Sequence, residues 1–221
     1  MDCLVQVYIV LDRAVQSGYH RRVAMSDERR DQLVRTAARE FARAGFERAS
    51  LNAIIRDCGL SKSSFYNILD SKLALYDLVV RDISQRLVRD LDLPAPTSFG
   101  DSAYWQTVVD VIVRLTQVLT SDDVYTDLAQ MLYDTQAPDE PNEADRVLDA
   151  ASAWIRELVH VGRDCGAVRA DLPVSLQGEL AFTMLRTFDE WSVRNLDTLP
   201  PDDLPALVDA QLAALRRLFA P

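Results

Sequence analysis

The stretch Ser50–Leu75, SLNAIIRDCGLSKSSFYNILDSKLAL, decides the fold. Leu51, Ile54, Ile55 and Cys58 recur at helical spacing and give a first short helix one apolar face. Gly59 supplies the permissive backbone of a tight turn. Ser61 is placed to cap a second helix, with Phe65 as its inward anchor. The other residues of that helix, Lys62, Ser63, Ser64, Tyr66 and Asn67, are polar or aromatic. A helix that reads base edges in a DNA major groove needs such a surface. Asp70 or Ser71 then caps a longer helix carrying Lys72 in its first turn.

Upstream, Ser26 is an N-cap candidate with Asp27 and Glu28 behind it, favourable at a helix start. Leu33, Val34, Ala37, Ala38 and Phe41 mark that helix, which should end near Gly45, with Phe46 turning back into the core. Downstream, Leu75, Val79, Ile83, Leu87 and Leu91 predict a helix over 71–91, stopped by Pro94, Pro96 and Gly100. Apolar periodicity then predicts helices from Tyr104 to Leu119, from Val124 to Leu132, from Val147 to about Cys165, over 175–195, and from Leu204 to Phe219. Polar or proline-bearing connectors fall at 134–142, 166–173 and 197–203. The expectation is an all-α chain of about nine helices.

Residues 1–24 stand apart. The run Leu4–Leu11 is apolar but short, without the flanks of a signal peptide. It reads either as an extra element packed on the body or as upstream sequence ahead of a true start at Met25. No apolar run reaches the roughly 18 residues that a membrane span needs, and a cytoplasmic protein is expected.

Net charge is −10, from 24 basic and 34 acidic side chains, which taken alone argues against nucleic acid. The average conceals an asymmetry. Residues 21–90 carry 14 basic and 10 acidic groups, a net of +4, while residues 91–221 carry 9 and 22, a net of −13. A basic head on an acidic body suffices for phosphate contacts. Cys3, Cys58 and Cys165, with only two histidines, make no metal pattern and no disulfide framework.

Together with the helix before it, the run from Ser50 to Leu75 resembles the TetR family of bacterial transcriptional regulators. The resemblance rests on Ala38, Phe41, Gly45 and Phe46, then Ser50, Ile54, Cys58, Gly59, Leu60, Ser61, Phe65, Tyr66, Lys72 and Leu75, all at the family's spacing. Ile55, Ser63, Ile68 and Leu69 depart from the usual residues and leave the DNA-contact set less basic. The resemblance implies an N-terminal three-helix, helix-turn-helix DNA-binding domain over 26–72, after an extension over 1–25. It implies an effector-binding and dimerisation domain over 73–221. Ser50, Tyr66 and Lys72 fall where phosphates are held, Lys62, Ser63 and Ser64 where bases are read, and Asn67 beside them. The last two helices are expected to pair with those of a second copy, on a near-palindromic operator.

Met131, Trp154 and Phe188 lie on apolar faces of different body helices and are the ligand-binding candidates, for a largely apolar effector. Neither cofactor nor metal is expected. Nothing resembles a nucleophile elbow, a phosphate-cradling glycine loop or HExxH, so an enzyme is not expected. The leading reading is a repressor released from its operator by a small molecule. An activator or ligand-independent regulator, and a helical scaffold or enzyme on a degenerate head, are the alternatives.

Overall fold

The computed structural model describes residues 25–100, 103–134, 136–195 and 198–221. The N-terminal extension expected over 1–25 therefore lies, but for Met25, outside the described residues. Among the described residues, regular structure is helical throughout: α1 (Asp27–Arg48), α2 (Leu51–Asp57), α3 (Lys62–Tyr66), α4 (Lys72–Leu91), α5 (Tyr104–Leu119), α6 (Asp123–Leu132), α7 (Glu143–Asp164), α8 (Val174–Asn195) and α9 (Leu204–Phe219). Short 3-10 turns occupy Pro96–Phe99 and Pro201–Asp203.

The chain divides into two compact units. The first takes in 25–90 and 118–148 of the described residues. Its core draws Leu33, Val34, Ala37, Ala38 and Phe41 from α1, Ile54 and Ile55 from α2, Phe65 from α3, and Leu75, Tyr76, Val79, Val80 and Ile83 from α4. From α6 come Val124, Tyr125, Leu128 and Met131. Each large apolar side chain so buried contributes about 1.5–3 kcal/mol.

Local chemistry sets the ends of these helices. Ser26 caps α1, accepting the Arg29 amide at 3.4 Å. The regular turn of α1 breaks at Gly45, whose φ of 74° favours glycine. A Cβ there would also come within 2.8 Å of the Asp134 carboxylate. One further turn runs on to Arg48, and Phe46 swings back to stack on Phe41 and meet Tyr76 edge-on at 5.4 Å. Ser71 Oγ accepts the Ala74 amide at 3.0 Å at the start of α4. Within the polar 134–142 connector, Asn142 and Asp145 form a reciprocal cap on α7. The Asn142 Oδ1 accepts the Ala144 amide at 2.9 Å, and the Asp145 carboxylate accepts the Asn142 amide at 3.1 Å.

The second unit takes in 91–117 and 149–221 of the described residues. Phe99, Tyr104, Leu158, Val159, Val168, Ala181, Leu215 and Phe219 form its core. The 166–173 connector is pinned rather than loose. The Trp105 indole donates to Ala167 O at 2.9 Å, buried Gln177 donates to Arg169 O at 2.8 Å, and the Arg163 guanidinium donates to Leu172 O at 2.9 Å.

Gly162 of α7 lies so close to this packing that a Cβ would come within 2.6 Å of Tyr104 and of Val168. Gly162→Ala should therefore overpack the second unit and destabilise it by about 1–3 kcal/mol. Urea unfolding of the variant checks this, with a lower midpoint at unchanged slope as the expected outcome.

Candidate nucleic-acid interface

The site is assembled by caps and one deep anchor. Ser50 Oγ accepts the Ala53 amide at 3.3 Å and starts α2. The Ser50 amide in turn donates at 3.0 Å to the Glu40 carboxylate, which also takes the Arg43 guanidinium at 2.7 Å. The Ser50 amide first, and Arg43 after it, hold the Glu40 carboxyl below its ordinary range. Gly59 makes the turn with φ of 63°. Ser61 Oγ accepts the Ser64 amide at 3.0 Å and lies 2.8 Å from the Ser64 hydroxyl.

Five residues cannot hold a helix alone in water, so α3 depends on docking. Phe65 is fully buried and Leu69 is 1% exposed. That inward pair forces the rest of the segment outward. Lys62, Ser63, Ser64, Tyr66 and Asn67 are all exposed, Tyr66 by 51%. These five and Ser50 thus share the exposed helix-turn-helix segment, as expected from the sequence.

Lys72 differs from the others. It is half-buried, its ammonium donates to Glu47 O at 2.9 Å and sits 4.7 Å from the centroid of the Phe46 ring. It ties the first turn of α4 to the end of α1. Neither this tie nor the role of Glu40 has a signal in local spacing, since their partners lie 25 and 10 residues away.

A chain of ion pairs joins α1, α4 and the start of α6. Arg30 meets Asp82 at 2.9 Å, Asp82 meets Arg86 at 2.6 Å, and Arg86 meets Asp31. Asp31 takes Arg35 at 3.0 Å, and Arg35 grips Asp122 with two bonds of 2.8 and 2.7 Å. Asp122 also caps α6 through the Val124 amide at 3.1 Å. At the far end of α6 the Tyr76 hydroxyl donates to Met131 O at 3.2 Å. Helix α7 starts against α4 as well. Its Glu143, 1% exposed in the side chain, meets Arg81 at 3.0 Å and Arg146 at 2.7 Å.

Of the ligand candidates, Met131 is buried in the first unit's core. Trp154 and Phe188 both pack against the second unit's core, Trp154 edge-on to Phe99 at 5.9 Å. The Trp154 Nε1 is buried and has no hydrogen-bond partner among the described residues.

Residues 33–79 match the family model for bacterial regulatory proteins of the tetR family. An uncharacterized HTH-type transcriptional regulator of Bacillus subtilis (strain 168), YvdT, is 22% identical over 131 residues. The match covers 59% of this chain and 64% of that relative, less than two thirds of its length. Among solved structures, NalD of Pseudomonas aeruginosa, the secondary repressor of the MexAB-OprM multidrug efflux pump, superposes with a TM-score of 0.66 at 13% identity, over 89% of this chain and 98% of that one. The SmeT–triclosan complex gives 0.66 at 13% identity, over 88% and 93%. FadR of Bacillus subtilis in complex with stearoyl-CoA gives 0.61 at 17% identity, over 85% and 98%. At such identities these structures are alike in fold.

The ion-pair chain has a pH signature. Hydrogen bonds from Arg35, its largest cause, lower the Asp122 carboxyl to about 2 from an ordinary 3.8. A depressed carboxylate stabilises the fold above its unfolded value and loses that contribution as pH falls through the folded one. Stability should therefore fall between about pH 4 and pH 2. Asp122→Asn should flatten part of that slope, measured as urea midpoint against pH.

Proposed function

Because the chain belongs to the TetR family of bacterial transcriptional regulators, we propose that this DNA-binding regulator is a homodimeric repressor, released from a near-palindromic operator by a small molecule in the cytoplasm. The observation that carries the proposal is the outward set Lys62, Ser63, Ser64, Tyr66 and Asn67 held by inward Phe65. In this reading Lys62, Ser63 and Ser64 meet base edges, and Asn67 lies beside them. Ser50, Tyr66 and Lys72 hold phosphates. Lys72 spends one of its three donors on Glu47 O and keeps two for a phosphate. The functional division is a reading head over 26–72 and a regulating body over 73–221.

Dimerisation through α8 and α9 fits the apolar surface that α8 exposes, Leu176 by 42%, Leu180 by 36% and Trp191 by 49%. Two heads would then enter successive major grooves about 34–36 Å apart. An effector bound in the body would favour a conformer with α4 displaced, in which that spacing fails. Trp154 and Phe188, which pack against one core, are the residues proposed to meet it; Met131, the third candidate from the sequence, is buried in the first unit's core. The unpartnered Trp154 Nε1 suits an apolar ligand carrying one acceptor.

Fluorescence anisotropy on the DNA upstream of the chain's own gene tests the reading. Binding that survives random-sequence competitor is expected, and sequence-independent binding alone at every salt concentration refutes it. Lys72→Ala should weaken binding to every sequence and lower the slope of log K against log salt by about 0.9. The fold of that variant is checked by its melting temperature, because it also loses the tie to Glu47 O. Trp191→Asp should shift the dimer to monomer in sedimentation equilibrium.

A further inference from the structure

The chain contains 22 arginines and only two lysines, Lys62 and Lys72. Both lie in the segment that forms the reading head and its junction with α4. The structure separates them chemically. Lys72 is half-buried, with its ammonium committed to Glu47 O at 2.9 Å and set against the Phe46 ring. Lys62 is exposed at the start of α3, and among the described residues its ammonium makes no hydrogen bond or ion pair. Arginine guanidinium stays protonated and does not act as an acyl acceptor under ordinary conditions, whereas a lysine amine does. The side-chain amine chemistry of the whole protein is thus focused on one accessible atom, Nζ of Lys62, on the surface assigned to base reading.

We propose that Lys62 is an acylation site, modified by an activated acyl donor of the thioester class, and that its modification switches off operator binding. In the reaction the ammonium first gives up a proton to solvent. The free amine attacks the thioester carbonyl carbon, an amide C–N bond forms, the C–S bond breaks, and the departing thiolate takes up, through solvent, the second proton that the nitrogen sheds. No oxidant or reductant takes part. The product is neutral at Nζ, so it loses both the positive charge and the strong donor that a guanine acceptor or a phosphate would meet. Apart from half-buried Lys72, the other Lys and Arg side chains are all arginines, and the same donor leaves those untouched. The fold and any dimer therefore have no reason to change, and the effect is confined to the reading face.

The inference rests on the assignment of Lys62 to DNA contact, and the test keeps the two apart. Full-length protein is incubated with acetyl-coenzyme A at mildly alkaline pH. Acetyl groups are located by peptide mass mapping over time, and anisotropy is measured on the chain's own upstream DNA and on a random duplex. Lys62 should be acetylated several-fold faster than Lys72, because Lys72 is half-buried and hydrogen-bonded. Specific affinity should fall roughly tenfold or more in the acetylated fraction. Lys62→Arg, whatever its own affinity, should show no further loss on treatment, and this control also covers acetylation of the chain's α-amine. Specific binding that survives acetylation at Lys62, or acetylation of Lys72 at an equal rate, overturns the inference alone. Untreated protein that prefers no sequence overturns the regulator reading, and this inference with it.

Discussion

Burial of one ring, Phe65, is what the proposed DNA-reading surface depends on. Helix α3 is a five-residue segment with no stability of its own, and its geometry is inherited from what it docks against. Burying that ring is worth about 2–3 kcal/mol, and the Ser61 cap adds about 1 kcal/mol. Once the ring is inside, helical spacing leaves Lys62, Ser63, Tyr66 and Asn67 no position but outside. Tyr66 is the one aromatic of α3 on that outer side. Here it stands edge-on to Phe65 at 5.3 Å and presents its hydroxyl to solvent.

The head is not an isolated three-helix unit in its packing. Helix α6 is part of the same core, and it is held near its start by Arg35 of α1 and at its end by Tyr76 of α4. Exposed ion pairs are individually worth little, about 0–1 kcal/mol. Their importance here lies in connectivity, since the guanidiniums of Arg86 and Arg35 each bridge two carboxylates. A displacement of α4 relative to α1 would have to part Asp82 from Arg30 or Asp31 from Arg86. Such a linkage ties α1, α4 and the start of α6 through several carboxylates at once.

Much of this was legible in the sequence because the signals are local. Caps at Ser26, Ser50 and Ser61, the break at Gly45 and the inward turn of Phe46 depend on residues a few positions apart. The amphipathic periods placed α5, α6 and α8 to within a residue or two. What escaped depends on partners distant in the chain. Arg35 and Asp122 are 87 residues apart, and neither has a pattern that names the other. Lys72 looks like a surface cation in sequence, yet its ammonium is spent partly on a carbonyl brought close by the break at Gly45. The apolar face of α6 showed that it would be buried, but not that it would join the core of the head. Nor could periodicity show that Met131 packs in a different core from Trp154 and Phe188.

The central claim is that the segment from Ser61 to Asn67 meets DNA with its polar side while Phe65 stays docked. Amide hydrogen exchange, followed by mass spectrometry with and without the upstream DNA fragment, tests it most directly. The account predicts that DNA slows exchange in peptides covering 50–72 and leaves those of α9 unchanged. Unchanged exchange across 50–72 in a complex that demonstrably forms, with protection appearing elsewhere in the chain, would contradict it.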